Sequence, residues 1–209
     1  MSSYVSRMGS RDRWNERYAQ PDRRWMPETP SEWLVAHEAL LHGGGRALDV
    51  ACGDGRNALY LAQLGYMVEA IDVSDVAIGA LRGAVAARGL TMTITPRVVD
   101  LEREPLPAGP YDVIVMTNFL QRDLYEPLQD ALAPGGLLIF ETLARCHVDE
   151  LGHSFNPEYL LAPGELQRAF ARLEVVDQHE GVAQRSGHPR GVAGIVARRP
   201  ADRSGAAAR

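Results

Sequence analysis

"LDVACGDGRN", residues 48–57, decides the fold. Apolar residues lead into Gly53 and Gly55, and a helix-forming run follows. A strand that breaks into glycines and restarts as a helix is the start of a β-turn-α unit. The glycines allow a tight turn and let a ligand approach the backbone closely. Gly53-Asp54-Gly55-Arg56-Asn57-Ala58 fits G-x-G-x-x-[G/A]. Asp72 ends the next apolar stretch about 20 residues on, where the acid that holds a ribose is expected. The pattern alone fits any ligand that contains adenosine.

Outward from this turn, strand-like and helix-like stretches alternate. The patterns predict strands at 46–51, 66–73, 92–100, 111–118 and 134–143. They predict helices at 56–65, 74–89, 124–132 and 162–171. Ser74 and Gly89 are the expected cap and stop of the second of these helices. Pro96 assigns its strand to an edge or a bulge, and Pro127 is expected to interrupt its helix. Two final strands, 173–182 and 191–199, have no helix between them and are joined by a polar loop at 183–190. The expected fold is α/β and Rossmann-like. It has a seven-stranded, mostly parallel sheet with one antiparallel strand, and helices on both faces. Ligands of such sheets bind beyond the carboxyl ends of the strands.

Upstream, "RDRWNERYA" puts Trp14 and Tyr18 on one helical face. "TPSEWLVAHEALL" carries an apolar stripe of Trp33, Leu34, His37 and Leu41, with Ser31 as its expected cap. The expected organisation is an N-terminal helical extension (1–42), one α/β domain (43–199) and a mobile tail (200–209).

The chain has 209 residues, of which 45% are hydrophobic, enough for one domain with a sizeable core. A formal net charge of -5 speaks against a nucleic-acid partner. No stretch approaches the ~20 apolar residues of a membrane span, and the N-terminus lacks the apolar region of a secretory signal. Cys52 and Cys146 are too few for a disulfide framework. These features together give a cytoplasmic protein, expected as a monomer or homodimer. Cys146, His147 and His153 have no standard zinc spacing, so no metal is expected.

The carboxylates of the turn choose among adenosine ligands. A pyrophosphate wants bare N–H groups at a helix N-terminus, and Asp49 and Asp54 would repel it. A ligand with an α-ammonium and a sulfonium has the opposite need. S-adenosylmethionine is that ligand, and it has no phosphate.

"ALDVACGDGRNALYLAQLGYMVEAIDVS" resembles the first two motifs of class I S-adenosylmethionine-dependent methyltransferases. Ala51 stands where that family often has a glycine. With "WNERYA" upstream, the variant is similar to the tellurite-resistance methyltransferase subgroup. The resemblance implies that Asp49, Gly53 and Gly55 hold the methionine part, with Asp54 inside the same turn. It implies Asp72 on the ribose hydroxyls and Val73 beside the adenine. Asp100 accepts from the adenine amino group, with the Leu101 backbone next to it. Asn118 and Phe119 lie on the sulfonium side.

For the acceptor, "TNFLQRDL" after the fourth strand lacks the proline pair of enzymes that methylate base amino groups, so a small molecule is expected. The subgroup carries a His-Arg pair and a further arginine in its last hairpin. Arg185 and Arg190 match the arginines and suit a thiol or chalcogen oxyanion acceptor, while Gln184 replaces the histidine. Two rivals remain: a non-catalytic S-adenosylmethionine-binding regulator, and a nicotinamide-dependent oxidoreductase, against which Asp49 and Asp54 speak.

Overall fold

The computed structural model describes residues 9–20 and 29–201; the first eight residues, 21–28 and the tail from 202 lie outside them. Seven strands form one sheet: β1 (Arg46–Val50), β2 (Met67–Asp72), β3 (Ile94–Val98), β4 (Tyr111–Thr117), β5 (Leu132–Leu143), β6 (Glu174–Arg185) and β7 (His188–Arg198). Their order is β3-β2-β1-β4-β5-β7-β6. All neighbours are parallel except the two pairs made by β7, the one reversed strand. The chain order reverses between β1 and β4, so the crevice of a doubly wound sheet opens at the end of β1.

Helices α1 (Ser10–Ala19), α2 (Glu32–Ala36), α3 (Arg56–Gln63), α4 (Asp75–Ala87), α5 (Tyr125–Ala131), α6 (Cys146–Asp149) and α7 (Glu165–Ala169) cover the sheet. Strand alternation divides the core in two. Ile114, Met116, Phe140, Ile195 and Phe170 pack on one face. Val113, Val115, Ile139 and Val196 pack on the other, with Trp33, Leu61, Ile78 and Leu81. The period of two in β4 produces this division directly.

The Ser74 hydroxyl accepts from the Ala77 N–H at 3.1 Å, so α4 is capped as expected. Pro96 sits on β3, an edge strand, where its missing N–H costs no ladder bond. Three expectations need correction. Pro127 does not interrupt a helix: it lies in the first turn of α5, where its N–H would have had no helical partner. Ser31 makes no side-chain cap bond, and α2 has only five residues. The polar loop at 183–190 is mostly strand. β6 and β7 run on to a two-residue turn at Ser186 and Gly187, both with positive φ (52° and 76°). That is the hairpin geometry that matches strand twist, and the Ser-Gly pair is its local signal.

Candidate functional site

Four polar residues stand at the carboxyl ends of adjacent strands. Asp100 follows β3, Asp72 ends β2, Asp49 lies near the end of β1, and Asn118 follows β4. Three strand spacings of about 4.8 Å separate the outer two, roughly 14 Å in all. Asp49, Asp72 and Asp100 are all buried.

The glycine turn is built by conformations that side chains resist. Ala51, Gly53 and Gly55 have φ of 53°, 59° and 90°. The strained φ of Ala51 shows why a glycine is common at this position. A Cβ on Gly53 would lie 2.5 Å from the Tyr18 hydroxyl, and one on Gly55 would lie 2.2 Å from the Leu81 side chain. Both glycines are therefore required by packing as well as by φ. The turn is tied to its neighbour strand, because the Gly53 N–H donates to Asp72 Oδ2 at 2.9 Å and the Ser74 N–H to Oδ1 at 2.8 Å. Burial raises the Asp72 pKa against these N–H groups.

Asp49 is 1% exposed, and its Oδ2 has no hydrogen-bond partner. Burial pushes its pKa up to about 7, with Arg56 and the Ala58 N–H opposing and Asp72 reinforcing. An orphaned carboxylate oxygen in a crevice calls for a cation or a donor. A phosphate ligand would make this position worse, and an ammonium or sulfonium would relieve it. The residues present therefore fit S-adenosylmethionine, on the chemistry of the donor set alone.

Helix α1 closes over this end. The Asn15 Oδ1 accepts from the Ser74 hydroxyl at 2.7 Å and from the Val76 N–H at 3.3 Å, at the N-terminus of α4. Tyr18 then reaches the Gly53 turn, and burial followed by the charge of Asp72 raises its pKa. Asn15, from the "RDRWNERYA" stretch, was not among the expected site residues; its signal was an amide between Trp14 and Tyr18 on a short amphipathic helix.

After β3, the Asp100 carboxylate accepts from the Glu102 N–H at 3.1 Å, and Gln121 donates to the Leu101 carbonyl at 2.8 Å. Leu101 and Phe119 are partly buried against the core, and Val73 is half-buried. A groove of 690 Å³ lies between the 101–109 segment and α5. It meets this row of residues only at Leu101, so its size does not make it the site.

On the other side of Asn118 (φ 56°), the sequence reading missed Glu141. This residue is 6% exposed near the end of β5. Its carboxylate takes two bonds from Arg185 Nε, at 3.0 and 2.9 Å, and one from Nη2 at 2.5 Å. Arg185 Nη1 donates to the Gln184 carbonyl at 2.9 Å. Arg185 is thus not the free guanidinium expected of an oxyanion ligand. Above this pair, the Trp33 ring lies against Gly194, the strand partner of both Glu141 and His179. Between α2 and β6 is a cavity of 470 Å³, lined by Glu32, Trp33, His179, Ala183 and Arg185 among others. Asn57, on α3, donates to the Thr117 hydroxyl at 3.0 Å and accepts from the Ser31 N–H at 2.9 Å. Arg190 faces no carboxylate within ion-pair distance among the described residues and lies near His147. His147 stacks on His153, ring centres 4.6 Å apart, and accepts from the Gly191 N–H.

Residues 47–136 match a known family, described as "Methyltransferase domain". That stretch is similar to a methyltransferase domain. The matched stretch carries Asp49, Asp72, Asp100 and Asn118, while Glu141 and Arg185 lie beyond it. Curated relatives include a ubiquinone biosynthesis O-methyltransferase from a Caulobacter strain, 31% identical over 156 residues, covering 65% of this chain and 61% of that protein. One from Burkholderia ambifaria is 32% identical over 135 residues, covering 61% and 56%. The chain thus spans about three-fifths of the length of these relatives. Among solved structures, TehB from Haemophilus influenzae superposes with a TM-score of 0.67 at 22% identity, over 80% of this chain and 61% of that one. The N-methyltransferase NodS from Bradyrhizobium japonicum, solved with S-adenosyl-L-homocysteine, gives 0.64 at 20%, over 91% and 98%. These likenesses share the methyltransferase domain's fold. Among the described residues no helix is long and apolar enough to cross a membrane.

Proposed function

We propose that the protein transfers a methyl group from S-adenosylmethionine to a small molecule, at a nucleophile that enters uncharged. The carrying observation is the row Asp100, Asp72, Asp49, Asn118 with the orphaned Asp49 oxygen in its middle. In this reading Asp100 receives the adenine amino group, with Leu101 and Val73 beside the ring, and Asp72 receives the ribose hydroxyls. Asp49 and the turn of Gly53, Asp54 and Gly55 hold the cationic amino-acid part. Asn118 and Phe119 border the reacting centre. The cofactor supplies an electrophilic methyl group on a sulfonium.

The chain's own part is alignment and exclusion of water. Helix α1 seals the cofactor side through Asn15 and Tyr18, and α2 covers the acceptor side through Trp33. A general base is required only for a nucleophile that must lose a proton, and Glu141, held by Arg185, is a weak candidate for that task. The curated relatives are named for O-methylation, which favours a hydroxyl acceptor. A thiol keeps the same requirement. A chalcogen oxyanion is the less supported reading, because Arg185 is engaged and Arg190 alone would serve it. The expected cytoplasmic location and monomeric or dimeric state belong to the same proposal.

The test is calorimetric titration with S-adenosylhomocysteine, followed by a screen of hydroxyl, thiol and oxyanion acceptors with S-adenosylmethionine. Binding with turnover supports the proposal. Binding without turnover across the screen favours a cofactor-binding regulator. Binding of NAD(H) in place of S-adenosylhomocysteine overturns it.

A further inference from the structure

We propose that Glu141 sets the charge selectivity of the acceptor site: by occupying the Arg185 guanidinium it closes the site to anionic acceptors. The inference rests on the methyltransferase reading for what the site does, but its physical basis is separate. Every Arg185 nitrogen has a partner. Nε and Nη2 face the two Glu141 oxygens, and Nη1 faces the Gln184 carbonyl. The two side chains are 17% and 8% exposed, so water screens them little.

An incoming oxyanion meets two obstacles here. It must displace a carboxylate that the chain tethers within bonding distance, and tethering gives that carboxylate a high effective concentration. The displaced carboxylate then stays buried beside a second negative charge, which is costly at low dielectric. Glu32 adds to this. It accepts the Ser186 N–H and lines the same cavity as Arg185. Glu141, Glu32 and Asp177 therefore outnumber the Arg185 guanidinium at this corner, and Arg190, the ladder partner of Ala183, is not among the cavity's lining residues. Such a corner accepts a neutral hydroxyl, thiol or amine nucleophile and rejects a selenite-like or carboxylate-like one.

Sequence context agrees with a dedicated role. Glu141 is the one charged residue in "LLIFETL", and it faces Gly194 on β7, where Trp33 takes the space of a side chain. A carboxylate in a central strand needs a partner, and the hairpin delivers Arg185 to it from 44 residues away.

The experiment uses the full chain with S-adenosylhomocysteine and titrates selenite, followed calorimetrically. Glu141→Gln keeps the shape and removes the charge, and Glu141→Ala releases the guanidinium outright. We expect no saturable selenite binding to the wild-type protein. Both variants should bind selenite at least tenfold more tightly, and Glu141→Ala/Arg185→Ala should lose this gain. S-adenosylhomocysteine affinity should stay within twofold throughout. Selenite binding by the wild type at the variants' affinity overturns the proposal, and so does a folded Glu141→Gln protein that gains none. If Glu141→Ala fails to fold, Glu141→Gln carries the test. If no protein binds S-adenosylhomocysteine, the cofactor reading fails, and selenite titration of the protein alone still decides the role of Glu141.

Discussion

Asp49 and Glu141 stand on the same face of the sheet, two strands apart, because Asp49 pairs with Val115 and Val115 with Ile139, two residues before Glu141. Both are almost fully buried. The chain treats them in opposite ways. Asp49 keeps an oxygen without a partner, whereas Glu141 is gripped by an arginine. The difference teaches where a ligand's charge is needed. An unsatisfied buried carboxylate is tolerated where binding will satisfy it, and a satisfied one marks ground the protein has already neutralised.

The comparison can be broken by substitution, and the largest effect should come from Arg185→Ala. It strands Glu141 as an unpaired buried charge, and about 3 kcal/mol of stability should disappear in denaturant unfolding. A double change of Glu141 and Arg185 to leucine should recover most of it. If the single variant is as stable as the wild type, the pair is not a buried one. Next comes Asp72→Ala, which removes the acceptor for the Gly53 and Ser74 N–H groups and the proposed acceptor of the ribose hydroxyls. S-adenosylhomocysteine affinity should fall by roughly 2 kcal/mol, read calorimetrically.

Asp49 gives the third prediction, through pH. Burial holds its pKa at about 7 in the free protein, above the ordinary carboxylate value. A cationic ligand favours the ionised form and lowers that pKa on binding. Affinity should therefore be lost below pH 7 and reach its plateau above it, rising by about tenfold from pH 6 to pH 8. The same raised pKa has the reverse sign for the free protein. Asp49 destabilises the fold progressively as pH rises from about 4 to 7 and adds nothing further beyond. Asp49→Asn should flatten the affinity profile, and an unchanged slope would remove Asp49 from the site. The smallest effect belongs to Asn15→Ala. It loses the bonds to Ser74 and Val76 and should cost about 1 kcal/mol, seen as faster amide exchange in α1.

The placement of the polar residues at the strand ends was legible because its signals are local. A strand, a glycine turn and a helix occupy one short stretch, and each carboxylate stands at the end of its own strand, where period two and turn residues place it. Those signals put Asp49, Asp72, Asp100 and Asn118 at strand ends, and the family resemblance proposed their roles. Glu141 could not, although a glutamate inside "LLIFETL" was a visible oddity, because only its distant partner explains it. Only the tip of the hairpin, 183–190, reads as a loop, since its residues are polar. In fact β6 is an edge strand, exposed along most of its length, so polarity there carries no information on strand content.

By itself the sequence determined the sheet, its one reversed strand and which polar residues stand at the strand ends, since these follow from periodicity, turns and strand ends within a few residues of one another. Only the tertiary structure decided that Tyr18 closes the glycine turn and that Arg185 belongs to Glu141. These contacts join segments far apart in the chain, and no local pattern encodes which buried charge will find a partner and which will wait for a ligand.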